Sequence, residues 1–96
     1  MKVVYLLLNK DTGYIKVGVT KDINKRRRTL ELQGGSSLVL IYVTELINRY
    51  SVIEHSFKQF YKRYQQQGEW FCISEADAKN TLQFILQNLE RTPLPL

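Results

Sequence analysis

Two runs of β-branched and apolar residues, "KVVYLLL" (2–8) and "YIKVGV" (14–19), are separated by only five residues, "NKDTG". A link that short cannot carry the chain over a sheet, because a parallel crossover needs a dozen or more residues. The two runs therefore predict an antiparallel hairpin, with Gly13 supplying the special turn conformation. A chain that begins this way builds a sheet, and the remaining segments have to pack against it.

The remaining segments are mostly helical. Asp22 or Thr20 can cap a helix through "INKRRRTLELQ" that stops at Gly34-Gly35. "SLVLIYVT" (37–44) reads as a third, strongly apolar strand. Ile53, Phe57, Phe60 and Tyr64 recur at spacings of 4, 3 and 4, which predicts a helix over about 48–65 with these four on its buried face. "QQQGEWFCIS" (65–74) breaks that helix at Gly68 and holds a short extended segment. Ser74, with Asp77 three residues on, resembles a capping box. Ala78, Leu82, Ile85 and Leu89 then give an amphipathic helix ending before Pro93. The order β-β-α-β-α-(β)-α describes one α+β domain over residues 1–96.

Composition narrows the class. A chain of 96 residues is one domain, and 44% apolar with 24% charged residues is the make-up of a folded protein. The net charge of +5 is uneven: residues 1–63 carry twelve basic and five acidic residues, residues 64–96 two and four. A basic face built by the first two-thirds suits a polyanion, and a basic protein without such a partner fits the charge equally well. Cys72 is the single cysteine, which excludes an internal disulfide and a cysteine-based zinc cluster. Within "EWFCIS" it reads as a buried, inert thiol. The opening apolar run, Val3 to Leu8, is too short for a signal sequence, and no stretch reaches the ~20 apolar residues of a membrane span. These features predict an intracellular protein with no membrane partner.

Tyr5 and Lys16 lie on the two strands of the hairpin, and Gly18 bares the backbone beside them, as at sites where a ligand or another chain comes close. Arg26 follows on the first helix. A phenol, an ammonium and a guanidinium converging on one spot suit a phosphodiester, with the phenol as base and the cations on the oxygens. A strand tyrosine in the core and a solvated "KRRR" face explain the same residues without chemistry. Glu54 sits beside Ile53 of the apolar stripe, where a carboxylate can hold Mg²⁺ or simply pair with Lys58 at i+4. His55 is the only histidine. In "GEWF" (68–71), Trp70 and Phe71 read as core plugs, while Glu69 either faces solvent or adds to a metal site.

Taken together, these segments resemble the GIY-YIG nuclease superfamily. "VVYLL" (3–7) resembles its first motif, "KVG" (16–18) its second, Arg26 its helical arginine and Glu54 its metal-binding glutamate. More narrowly, the chain is similar to a branch found in phage and fungal proteins as a small DNA-binding domain, with "KIG" for "YIG" and a "GEWF" ending. In that pattern the glutamate precedes the tryptophan by sixteen residues, as Glu54 precedes Trp70. Lys16 stands where the superfamily's second tyrosine would be, and Lys58 where the branch often has histidine; a lysine there would compete with metal for Glu54.

The resemblance implies a small, mainly antiparallel three-stranded sheet flanked by helices, with a motif core over about 3–73 and a terminal helix over about 75–91. It implies a DNA endonuclease using one divalent ion, Mg²⁺ or Mn²⁺. Tyr5 would be the general base, Arg26 and Lys16 the phosphate ligands and Glu54, with Glu69 as a possible second, the metal ligand. The DNA-binding set would comprise Lys16, Gly18, Lys21, Lys25, Arg26, Arg27, His55 and Lys58. With no separate recognition domain, such a protein would be structure-guided, weakly specific, dimeric or helped by a protein partner. Two other functions fit the sequence. One is a DNA-binding module of this fold that does not cleave. The other is a protein-interaction domain using aromatics among Tyr42, Tyr50, Tyr61 and Tyr64.

Overall fold

A computed structural model describes residues 1–34 and 37–91. Its elements are β1 (Val3–Asn9), β2 (Ile15–Thr20), α1 (Ile23–Gly34), β3 (Leu38–Val43), α2 (Tyr50–Phe60), a 3₁₀ turn at Lys62–Tyr64, and α3 (Glu75–Arg91). The three strands form one antiparallel sheet in the order β2-β1-β3. This is the α+β fold expected from the sequence, with helices on both faces of the sheet. The expected stops at Gly35 and Pro93 lie outside the described residues.

The hairpin closes as its turn residues dictate. The Gly13 amide donates to the Asn9 carbonyl at 2.7 Å with φ of +75°, a backbone state that costs glycine nothing. The Asn9 amide returns to the Tyr14 carbonyl at 3.0 Å, and the Asn9 side chain accepts from the Asp11 amide. The register pairs Tyr5 with Gly18 and Leu7 with Lys16. Alternation along β1 then sends Val4 and Leu6 to one face and Tyr5 and Leu7 to the other.

Each face has its own core. Val4, Leu6, Ile15 and Val17 pack against Ile53, Phe57 and Tyr61 of the α2 segment and Ala78 and Leu82 of α3. On the opposite face Tyr5, Leu7 and Leu30 of α1 are joined by Ile23, Leu38, Leu40 and Trp70. A β-bulge in β3, opposite the step from Leu6 to Leu7, lets the consecutive residues Ile41 and Tyr42 both pack toward the first core.

Both predicted caps form. The Asp22 carboxylate accepts from the amides of Asn24 and Lys25 at 3.0 and 3.1 Å, and Thr20 braces the Asp22 backbone. The Ser74 hydroxyl accepts from the Asp77 amide at 3.1 Å.

Four expectations need correction. The second long helix is shorter than 48–65: it ends at Phe60 and tightens into the 3₁₀ turn. Its buried row is Ile53, Phe57 and Tyr61, while Phe60 and Tyr64 are exposed. Tyr61 is therefore not a partner-facing aromatic. Its hydroxyl is shared with Thr81 at 2.6 Å and donates to the Asp77 carbonyl, tying the end of α2 to α3. Cys72 is exposed, not buried. The extended segment pairs once with the edge of β2, between Phe71 and Ile15. That pairing turns Phe71 inward, and alternation turns the next side chain out.

Candidate functional site

The site is built on the exposed edge of the hairpin, and its first half is a phenol held by a guanidinium. Tyr5 is 2% exposed, and its hydroxyl accepts a hydrogen bond from Arg26 Nε at 2.9 Å. The Asp22 cap fixes where α1 begins, and Arg26 lies one turn in, with its amide on the Asp22 carbonyl. Gly18 opposes Tyr5, and a Cβ there would lie 2.5 Å from the Tyr5 Cζ and Oη. The close approach that Gly18 permits is thus that of the Tyr5 ring, and Gly18 itself is buried beneath it.

Outside this pair, Thr20, Lys21, Asp22, Lys25, Arg26 and Thr29 line a depression of about 410 Å³. Lys21, Lys25 and Arg27 are exposed, and Arg26 runs from the depression inward to Tyr5. A hollow with three cations against one carboxylate, Arg26 linking it to Tyr5, is suited to an oxyanion.

The second half is a chain of alternating charges. Lys16, on the same face of β2 as Gly18, lies 3.5 Å from Glu69. Glu69 also meets Lys58 at 3.4 Å, and Lys58 approaches Glu54 at 3.9 Å, its i+4 neighbour on α2. The Lys58 ammonium first, and Lys16 after it, hold the Glu69 carboxyl below the usual carboxylate range, and the slight burial of Glu69 offsets this only in part. His55 is exposed beside Glu54 and joins neither group.

The expected residues therefore fall into two sets, Tyr5–Gly18–Arg26 and Lys16–Glu69–Lys58–Glu54, which adjoin through β2. The pairing of Glu69 with both lysines had no local signal in the sequence, since Lys16 and Glu69 lie on separate elements. Trp70 packs against the Tyr5 side of the sheet and Phe71 against the other, so "GEWF" pins Glu69 at the sheet edge.

The T5orf172 domain matches residues 2–86, nearly the whole chain. The chain belongs to the T5orf172 domain family. That family is associated with nuclease-type domains of the GIY-YIG and HNH-like kind, so membership is compatible with a nuclease-like or DNA-binding role. Neither the curated proteins nor the solved structures give a match. No helix among the described residues of this T5orf172 domain is long and apolar enough to cross a membrane.

The donor set can be weighed against a divalent ion. Glu54 and Glu69 offer hard carboxylate oxygens on either side of one ammonium. No group of three or more metal-ligating side chains occurs among the described residues. One or two carboxylates completed by phosphate oxygens and water is the usual set for Mg²⁺. The residues fit an ion that arrives with its phosphate, once Lys58 gives way, and do not fit one caged by protein alone.

Proposed function

We propose that this chain is a divalent-metal-dependent DNA endonuclease of the GIY-YIG type, in the branch marked by "KVG" and "GEWF". The observation that carries the proposal is the Tyr5–Arg26 hydrogen bond of 2.9 Å, made by an Arg26 that also lines the hollow beside Lys21 and Lys25. Arg26 uses Nε on the phenol, which leaves its terminal nitrogens for a phosphate. A phosphate entering the hollow draws the guanidinium outward and uncovers the Tyr5 hydroxyl. Tyr5, having released its own proton to solvent and acting as the phenolate, then takes a proton from the attacking water, and Lys16 adds positive charge beside the phosphate. Glu54, with Glu69, would hold Mg²⁺ or Mn²⁺. When bound, the ion acts as Lewis acid on the phosphate and stabilises the leaving 3′ oxygen.

A second reading has its own observation. Lys58 already sits between both carboxylates and Glu69 already neutralises Lys16, which suits a module that binds DNA without cutting it.

Supercoiled-plasmid cleavage with Mg²⁺ or Mn²⁺ separates the two. Nicking that is lost with chelator, in Glu54→Ala and in Tyr5→Phe is the expected result. Salt-sensitive binding without nicking, indifferent to Glu54→Ala, would establish the binding module instead.

A further inference from the structure

The far end of α2 carries a second surface that the phosphodiester site does not use. Between Glu54 and Glu69 the chain holds Lys58, Lys62 and Arg63, together with His55, and no acidic residue. Where α2 tightens into its 3₁₀ turn, Tyr61 keeps the inward row and its neighbours are turned out. Phe60 is 64% exposed and Tyr64 47%. Neither ring is loose. Each stands edge-on to the buried Tyr61 ring, Phe60 at 4.9 Å and Tyr64 at 6.2 Å between centroids. Tyr61 is in turn locked to α3 through Thr81 and Asp77. Gln59, Phe60, Lys62, Arg63 and Tyr64 line a depression of about 580 Å³.

Two positioned aromatic rings flanked by two cations, with no acid among the residues lining the depression, complement one kind of partner. The rings offer faces for stacking, and the cations meet a phosphate backbone. Bases inside a duplex are already stacked on one another, so these rings gain only from bases that are unpaired. We propose that this end of α2 is a stacking platform for unpaired bases, and that the DNA bound contains a single-stranded segment. The proposal rests on DNA being the partner of the Tyr5–Arg26 site and defines its structure further.

The test is fluorescence anisotropy with three labelled DNAs: an oligothymidine, a blunt duplex, and the same duplex with a single-stranded tail. The oligothymidine and the tailed duplex should bind more tightly than the blunt duplex at equal salt. Phe60→Ala and Tyr64→Ala should each weaken those two by about five- to a hundred-fold, the range for one lost base–aromatic stack. Phe60→Leu, which keeps an apolar side chain but has no ring, should lose the same advantage, and Phe60→Trp should retain it. Arg26→Ala should weaken all three DNAs alike. Equal binding of the three DNAs, unchanged in Phe60→Ala and Phe60→Leu but still weakened in Arg26→Ala, would overturn the platform and leave the DNA reading intact. Self-association in sedimentation that is lost in Phe60→Ala, with DNA binding unchanged, would overturn it in favour of a contact between copies. Absence of binding to all three at low salt would overturn the DNA reading and the platform together.

Discussion

Tyr5 and Gly18 face each other across the hairpin, and the missing side chain of one sets the position of the other. A methyl group at Gly18 would meet the phenol 2.5 Å away, so the ring would have to leave Arg26 or the strands part. Gly18→Ala is expected to cost about 1–3 kcal/mol, as for other forced overpacking, and to abolish binding that depends on Arg26. Chemical denaturation and DNA titration of the same variant check both. The sequence marks Gly18 as a place of close approach but not what approaches, because that depends on the register between strands.

The role of Glu69 is not legible in the sequence for a related reason, since its partners come from two other elements. Its carboxyl is held low by Lys58 and then Lys16, so its pairing stabilises the fold above the ordinary carboxylate value and is lost as pH falls through the lowered one. The gain is at most about 1 kcal/mol for so exposed a group. The larger effect is on charge. Glu69→Gln frees both lysines at neutral pH and is expected to tighten DNA binding a few-fold, with the salt slope steeper by about one. Wild-type protein should approach the same behaviour only on the acid side of the carboxylate range. Titrations across salt and pH measure this directly.

Elements whose signals are local were legible in the sequence. The hairpin, the Asp22 cap and the Ser74 cap depend on residues within a few positions of one another, and each forms where expected. The end of α2 was not legible. Phe57 is followed by aromatics at both i+3 and i+4, Phe60 and Tyr61, and helical spacing alone does not choose between them; the chain buries Tyr61 against α3 and tightens into the 3₁₀ turn after it. What fixes that choice is a tertiary bond, the Tyr61 hydroxyl on Thr81 and Asp77, separated by 20 and 16 residues. Tyr61→Phe keeps the ring and removes this bond, so it should cost about 0.5–1.5 kcal/mol in urea denaturation. It should also loosen the setting of Phe60, seen as broadened resonances at the end of α2. The bulge in β3 is hidden in the sequence for the same reason: an apolar strand looks alike whether or not one residue is inserted into its pairing.

Across the molecule, the layers separate charge by face. α1, with Lys25, Arg26, Arg27 and Arg28, covers one side of the sheet, while α3, with Glu75 and Asp77 in its first turn, closes the other. The basic residues of α1 are therefore displayed toward the Tyr5 face and the hairpin edge, while Lys62 and Arg63 stand apart at the far end of α2. A DNA strand approaching from that side meets Lys21, Lys25 and Arg27 before it reaches Arg26 and the buried Tyr5. Each such contact that displaces a counterion adds about 0.9 to the slope of log affinity against log salt on duplex DNA. Replacing Lys21, Lys25 and Arg27 together by glutamine should lower that slope by roughly two to three, with the fold unchanged because all three are exposed. Lys79→Gln on α3 removes one positive charge from the opposite layer, where Lys79 is paired with Glu75 at 2.9 Å, and should leave the slope where it was. Binding isotherms over a salt series decide it: equal losses per charge removed in the two variants would mean that net charge alone attracts DNA, and a loss confined to the first places the strand on the α1 face.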